Sequence, residues 1–523
     1  VFARVVFLFP VVWCSRGLKA SFIFALERKK LMEEKKEERV NSNGLILDVD
    51  QNPKKAGTWI ILAIQHVLAM FVACVTVPML VFAGYVTKDG QSIASLMIAP
   101  TLVAAGVGTI FYLIMTRFKS PMFLASSFAY IAPMTAAIAL SSQEVIIDGT
   151  KVGMLPNLWI LPIGMTMVGV VYCLVALFIK LFGVSWLNKL LPPIVVGPVI
   201  MVIGLSLAVS AVSNLTGTSS SASDYNLVEI LCGLIALIVT AICSFYGKKM
   251  ISLIPFVLGI LAGYISAVIF TAIGFYGCGN EYFHIVDFSP LVENFSPVTF
   301  KSFFDLPSFL FTMNESSVPL TGADVGKAAL LFIPVSLVTI CEHIGDHKNM
   351  SGILQRDLLT DPGLSRTLIG DGIATSLSGL ICGAANTTYG ENVAVVGVTK
   401  IASTKVILLS CLFSIALAFF SPLMSFTMTI PSCVMGGVSM VLYGFIASSG
   451  IKMLINEKID FSNTKNIFVA STILVAGIGG LAFKFGDPNN PMITITSVAA
   501  SMILGIIMNL ILRDKKPAKK EIE

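Results

Sequence analysis

From about residue 57 onward, apolar runs approaching twenty residues alternate with short polar breaks. A run of that length is what an α-helix needs to cross the hydrocarbon of a bilayer. Reading runs against breaks predicts fourteen spans, beginning near Gly57, Gln91, Pro121, Asn157, Leu190, Leu227, Ser252, Lys327, Arg366, Ala385, Lys405, Thr427, Asn466 and Met492. With the amino end inside, the inner connections carry Arg117 and Lys119, Lys180 and Lys189, Lys248 and Lys249, Lys348 with Arg356, Lys400 and Lys405, and Lys452, Lys458 and Lys465. The outer connections carry only Lys88, Lys151, Lys301, Lys327 and Lys484. That bias predicts both termini in the cytoplasm.

Composition agrees with a polytopic membrane protein: of 523 residues, 55% are hydrophobic and 12% charged. A net charge of +5 would hint at nucleic acid in a soluble domain, but here the basic residues sit between apolar runs and report orientation. A nucleic-acid partner is excluded on that ground. Ten cysteines are scattered, nearly all within apolar runs, so neither a disulfide framework nor a paired metal-ligand spacing is indicated. In residues 1–31 the apolar pieces are too short to span, Arg16 and Lys19 divide them, and no cleavage pattern follows. Met32 opens an acidic and basic run resembling a cytoplasmic start, so 1–31 reads as an over-extended start in preference to an amphipathic leader.

The expected organisation is a cytoplasmic segment 1–56, a seven-span set 57–275, an outer loop 276–326, a second seven-span set 327–512 and a basic tail 513–523. The two sets resemble each other. Pro192-x-x-Val195-x-Gly197-x-Val199-x-Met201-Val202 recurs as Pro431-x-x-Val434-x-Gly436-x-Val438-x-Met440-Val441, seven spans later. An odd number of spans per repeat forces the halves into opposite orientations, the inverted-repeat plan of secondary transporters. Spans three and ten are the irregular ones: Ser126-Ser127-Phe128-Ala129-Tyr130 and Asn386-Thr387-Thr388-Tyr389-Gly390-Glu391-Asn392 put hydroxyls, amides and aromatics where a lipid-facing helix would carry Leu. Unwound backbone at that depth is tolerated only where protein or water covers it, so these paired interruptions mark a substrate site.

Carboxylates inside such runs are the chemistry to explain, because an ionised side chain at the centre of a spanning helix costs at least about 2.5 to 3.5 kcal/mol. Glu342 and Asp346 share one helical face, while His343 and His347 share another about 100° away. A polar helix end near the membrane surface is an equal reading for Asp346 and His347, but not for Glu342, which directly follows the apolar run 332–341. The two histidines have ligand spacing, yet His-Glu-x-x-His order and a third ligand are lacking, so no metal is expected. Glu391 has no basic partner in its own span. Asp371, in Gly370-Asp371-Gly372, reads as a cap or hinge residue, and Gln65 and His66 as helix cross-links or site residues alike.

Five co-linear motifs, Gln65-His66-x-x-Ala69-Met70-Phe71, Ser126-Ser127-Phe128-Ala129, Glu342-His343-Ile344-Gly345, Thr388-Tyr389-Gly390-Glu391-Asn392 and Leu442-Tyr443-Gly444, resemble those of bacterial uracil permeases in the nucleobase–ascorbate transporter family. The resemblance implies an all-α fold of fourteen spans in two intertwined inverted repeats, with a core domain, a gate domain and short antiparallel strands in spans three and ten. It implies a pocket of Phe128, Glu342 and Glu391 with backbone from Tyr389 and Gly390. Tyr443 would approach from the gate, and Gln65, His66, His343 and Asn392 would support the site. Proton coupling falls to Glu342, with Asp346 beside it. One departure stands out: several uracil permeases have His where this chain has Asp346, and purine-carrying relatives often have Asp.

The chemistry fits on its own terms. Uracil offers two N–H donors, which carboxylates can accept, and two carbonyls, which the free N–H groups of a half-helix can meet; Phe128 can cover its face. The expectation is therefore uracil import by proton symport across a bacterial cytoplasmic membrane, with no cofactor and no enzymatic reaction. Partners are uracil, protons and lipid, with a homodimer left open. A xanthine or uric acid carrier is the nearest alternative, and sodium coupling stays open. An anion exchanger would use basic residues where this chain has acids, and an intramembrane metalloenzyme would bind metal.

Overall fold

The structure is a computed structural model that describes residues 44–512 apart from 141, 148, 218–225, 249–250, 310–318 and 488–489. The expected leader at 1–31 and basic tail at 513–523 therefore lie outside the described residues. The apolar runs become helices, as they must where no water can satisfy a backbone group. In chain order these are α1 (Ala56–Val81), α2 (Ile98–Met115), α3 (Ile131–Ala139), α4 (Ile160–Phe182), α5 (Pro193–Ser206), α6 (Ala208–Thr216), α7 (Leu227–Tyr246) and α8 (Pro255–Ala272). The second half follows with α9 (Gly322–Leu354), α10 (Leu364–Ile381), α11 (Gly390–Thr399), α12 (Thr404–Ala418), α13 (Ser421–Met428), α14 (Ser432–Asn456), α15 (Thr464–Ile478) and α16 (Ser497–Ile511). Among the described residues, eight helical stretches are long and apolar enough to cross a bilayer. The chain is a predominantly helical, multi-pass membrane protein. Leu234, Ile238, Ile242 and Phe245 on α7 are 38%, 51%, 50% and 81% exposed, an apolar face suited to the hydrocarbon of a bilayer.

Several element boundaries differ from those the hydropathy pattern predicts, and two of them have a plain local cause. α9 begins at Gly322, five residues ahead of Lys327, because Thr321 and Asp324 form a reciprocal cap: Asp324 N–H donates to Thr321 Oγ1 at 3.3 Å and Thr321 N–H to Asp324 Oδ2 at 3.0 Å. The run expected to enter the membrane near Thr427 is split, with the short α13 ending at Met428 and α14 starting after Pro431. A proline preset in φ and lacking an N–H starts a helix well and continues one poorly.

The two interrupted segments meet. Strands β1 (Leu124–Ser126) and β4 (Asn386–Thr388) pair antiparallel, Leu124 opposite Thr388 and Ser126 opposite Asn386. β2 (Ser142–Ile147) with β3 (Thr150–Pro156), and β5 (Phe483–Asp487) with β6 (Asn490–Ile495), are separate hairpins. Around β1 and β4, side chains complete the backbone bonding: Leu124 N–H donates to Thr109 Oγ1 at 2.9 Å, Thr375 Oγ1 to Asn386 O at 2.6 Å, and Asn386 Nδ2 to Ala104 O at 2.7 Å. Short strands are thereby tolerated inside a membrane protein.

The helices sort into two packing groups. One holds α1–α4 and α9–α12 around the β1/β4 pair; the other holds α5–α8 and α14–α16. Their main contacts with each other run through α9, which touches α5 and α16, and through α1 against α8. Small residues allow close helix crossings in each group, as is usual in membranes. A Cβ on Gly372 of α10 would lie 3.2 Å from Gly169 O of α4, and one on Gly450 of α14 would lie 2.4 Å from Gly197 O of α5. Gly197 is the motif glycine of the first set; its counterpart Gly436 presses on α6, where a Cβ would lie 2.4 Å from Leu215 N.

Candidate functional site

α9 is the pivot of the site. At 33 residues it is about 50 Å long, more than the roughly 30 Å of a bilayer's hydrocarbon, and Glu342 and Asp346 lie about three and two turns before its last residue, Leu354. Asp346 accepts a hydrogen bond from Thr388 Oγ1 at 2.9 Å, which ties α9 to the end of β4. Two residues on, a Cβ at Gly390 would lie 3.4 Å from Asp346 Oδ1, so the start of α11 passes close to that carboxylate. Glu342, one turn earlier, has a buried Oε2 with no hydrogen-bond partner among the described residues, and it interacts electrostatically with Asp346, Glu391 and Asp371.

The segment after β4 supplies the opposite wall. Tyr389 is extended, its N–H donates to Phe123 O at 3.0 Å, and Gly390 and Glu391 open α11. The first-turn N–H groups of a helix have no intrahelical acceptor and carry positive dipole character, so α11 presents donors beside the acceptors of α9. Phe128 opens a tight helical turn after β1, and this turn packs on both α9 and α5. Its ring meets that of Tyr443 on α14 edge-on, with centroids 5.6 Å apart and planes at 75°. Phe128 and Tyr443 thus join the two packing groups at the site.

The supporting residues divide. Asn392 Nδ2 reaches both His66 Nδ1 and His66 O at 3.1 Å, cross-linking α11 to α1, with Gln65 buried beside it. His343 turns away from the carboxylates: its Nδ1 lies 2.7 Å from Asp371 Oδ2 and its Nε2 2.9 Å from Thr367 Oγ1, both on α10. Asp371 is thereby corrected from cap or hinge to a fully buried partner in the middle of α10. Neither Asp346 nor His347 is a helix end, because α9 runs two turns further to Leu354. His347 is fully buried, its Nδ1 donates to His343 O at 2.7 Å, and its Nε2 lies 2.6 Å from the Tyr112 hydroxyl.

Hydroxyls form a further layer, of which the sequence pattern marked Thr388 and Tyr130 but not Thr339 and Tyr172. Thr388 binds Asp346, while Thr339, one turn before His343, is met by the hydroxyls of Tyr130 at 3.0 Å and Tyr172 at 2.9 Å. At the end of the seam between the groups, Lys348 of α9 donates to Glu457, just after α14, at 2.6 Å, beside a cavity of about 240 Å³ lined in part by Cys341, Ile344 and Met453. Among the described residues no group of His, Cys, Asp and Glu is arranged to hold a metal ion.

A helix broken by a short strand, with its N-terminus beside a carboxylate of a membrane-crossing helix, is a feature of membrane transporters. Residues 57–485 match the model described as "Permease family", and the chain belongs to that family. It is 38% identical over 482 residues to the uracil permease of Bacillus caldolyticus, covering 92% of this chain and 98% of the relative. The uracil permeases of Bacillus subtilis and Escherichia coli K12 are 35% and 32% identical, over 88% and 86% of this chain and 93% and 90% of theirs. These relatives are transporters and not enzymes. Among solved structures, murine Slc26a9, an anion transporter in the inward-facing state, superposes with a TM-score of 0.59 at 10% identity, over 88% of this chain and 69% of that one. The transmembrane domain of the cyanobacterial bicarbonate transporter BicA gives 0.50 at 14% identity, over 86% and 96%. At such identities the likeness is one of fold.

Proposed function

We propose that this chain imports uracil by proton symport across a bacterial cytoplasmic membrane. The observation that carries the reading is the orphaned Oε2 of Glu342 in a cluster with Asp346 and Glu391, next to the donor end of α11. A buried carboxylate oxygen without a partner is costly, and a ligand N–H would satisfy it. Glu342 and Glu391 then accept from uracil N–H groups, the first turn of α11 donates to a uracil carbonyl, and Phe128 covers the ring. The names of the relatives support the substrate. Proton transfer is assigned to Glu342 with Asp346, since an acid buried alongside other acids can be occupied by a proton in one access state and vacated in the other.

Fourteen crossings follow from counting β1 with α3, α5 with α6, and β4 with α11 as one span each, and leaving α13 as a connecting helix. In this reading 57–275 and 327–512 are inverted seven-span repeats, both termini are cytoplasmic, the group around β1 and β4 is the core, and the other is the gate. Core slides against gate along the seam of α9, Phe128 and Tyr443. Uptake of labelled uracil into cells or proteoliposomes tests the whole reading, with uracil, thymine, xanthine and hypoxanthine as competitors and a protonophore as control. Uracil alone should compete strongly, and the protonophore should abolish accumulation. Competition by xanthine at equal concentration would move the assignment to a purine carrier.

A further inference from the structure

A second cavity lies away from the carboxylates. It has a volume of about 710 Å³, is bounded by α1, α8, α12 and α13, and is lined by hydrocarbon side chains alone. Its lip is formed by Ile60, Ile64 and Leu261, which are 46%, 38% and 39% exposed, and its floor by Val67, Val75 and Ile260, which are 2%, 3% and 6% exposed. On α1 the lining runs from Ile60 to Val75, about 22 Å of helix, which exceeds the roughly 15 Å of one leaflet's hydrocarbon. The site is thus long, dry and open sideways.

That shape and chemistry select the occupant. Water would find no polar partner in it, and a polar ring such as a nucleobase would lose its hydrogen bonds there. The exposed lip lies on α1 and α8, two helices long and apolar enough to cross a bilayer, so lipid hydrocarbon is what stands at the mouth. We propose that this groove binds one acyl chain of a bilayer phospholipid. Transfer of a tail from lipid to groove gains packing and no hydrophobic effect, so a close fit along the groove has to provide the preference. α1 and α12 belong to one packing group and α8 to the other, and the paired Phe304 and Phe420 contribute to the groove's wall. The bound chain is therefore a wedge in the seam between the groups.

The test uses the full chain in proteoliposomes containing a phosphatidylcholine with a diazirine midway along one acyl chain, photolysed and mapped by mass spectrometry. Labelling at Leu68, Phe71 and Leu417 should exceed that on the open lipid face of α7 by about tenfold, the ratio for a modest preferential site. Ala416→Trp, which fills the groove, should bring it down to the α7 level, and Leu417→Trp serves if the first variant is unstable to heat. Equal labelling of groove and α7, or labelling unchanged by a folded filled variant, overturns the proposal. Labelling that falls as the protein-to-lipid ratio rises assigns the groove to a second copy of the chain and overturns it as well.

Discussion

His343 on α9 and Asp371 on α10 meet at 2.7 Å with neither side chain exposed, and this contact sets the rotation of α9. His347, one turn on, is held by Tyr112 of α2 at 2.6 Å. Glu342 and Asp346 lie about 100° around the helix from these anchors, so two polar contacts with the surrounding helices turn the acid face toward β4 and α11.

Asp371→Ala should leave the His343 Nδ1 buried without its partner, costing about 1 to 3 kcal/mol of stability and weakening uracil binding through misplacement of Glu342. Asp371→Asn keeps an acceptor for the ring and should recover part of both. Thermal unfolding and equilibrium binding on the purified protein provide the check. An Ala variant with wild-type Tm and affinity would show that the pair does not orient α9.

Glu342→Gln should abolish protonophore-sensitive accumulation while some binding or counterflow remains, because an amide can hydrogen-bond but cannot exchange a proton. Accumulation and counterflow measured in the same vesicles separate the two effects. Wild-type accumulation that still collapses with protonophore would remove Glu342 from the coupling.

At Glu391, replacement by Gln exchanges an acceptor-only group for one with a donor and an acceptor. Uracil affinity should fall about tenfold to more than a hundredfold, the equivalent of roughly 1.5 to 3 kcal/mol for a hydrogen bond to a charged group. Equilibrium binding with a folding control decides, and unchanged affinity in a folded variant would place Glu391 outside the pocket.

The Lys348–Glu457 bridge joins α9 to the residue just after α14 across the seam, where both side chains are partly exposed. Exposed pairs contribute about 1 kcal/mol at most, so Lys348→Ala should raise the alkylation rate of buried Cys341 by no more than about fivefold. Charge exchange in the double variant Lys348→Glu/Glu457→Lys should restore the slow rate. Mass-spectrometric rates at Cys341 with a membrane-permeant maleimide report this, and identical rates in all three proteins would leave the bridge without a role in closing the seam.

Much of this molecule was readable from residue order because burial in lipid makes polar residues conspicuous. Glu342, Glu391 and the Asn386–Asn392 stretch stood out against apolar runs, and the run lengths located the helices, since a backbone in hydrocarbon has few other ways to bond itself. Partner choice was not readable. Helical periodicity says that His343 and His347 share a face, but it does not say that α10 and α2 lie against it, 28 and 235 residues away in sequence. Hydroxyls were legible only in part: Thr388 and Tyr130 lie in the two irregular stretches, but Thr339 and Tyr172 left no signal, and only packing brought Tyr130 and Tyr172 to Thr339 and Asp346 to Thr388. Gly370-Asp371-Gly372 looked like a hinge because glycines flank it, whereas those glycines let α2 and α4 approach α10 around a buried pair. Local order specifies which residues are costly to place in a membrane; the long-range packing of α9 against its neighbours decides where that cost is met.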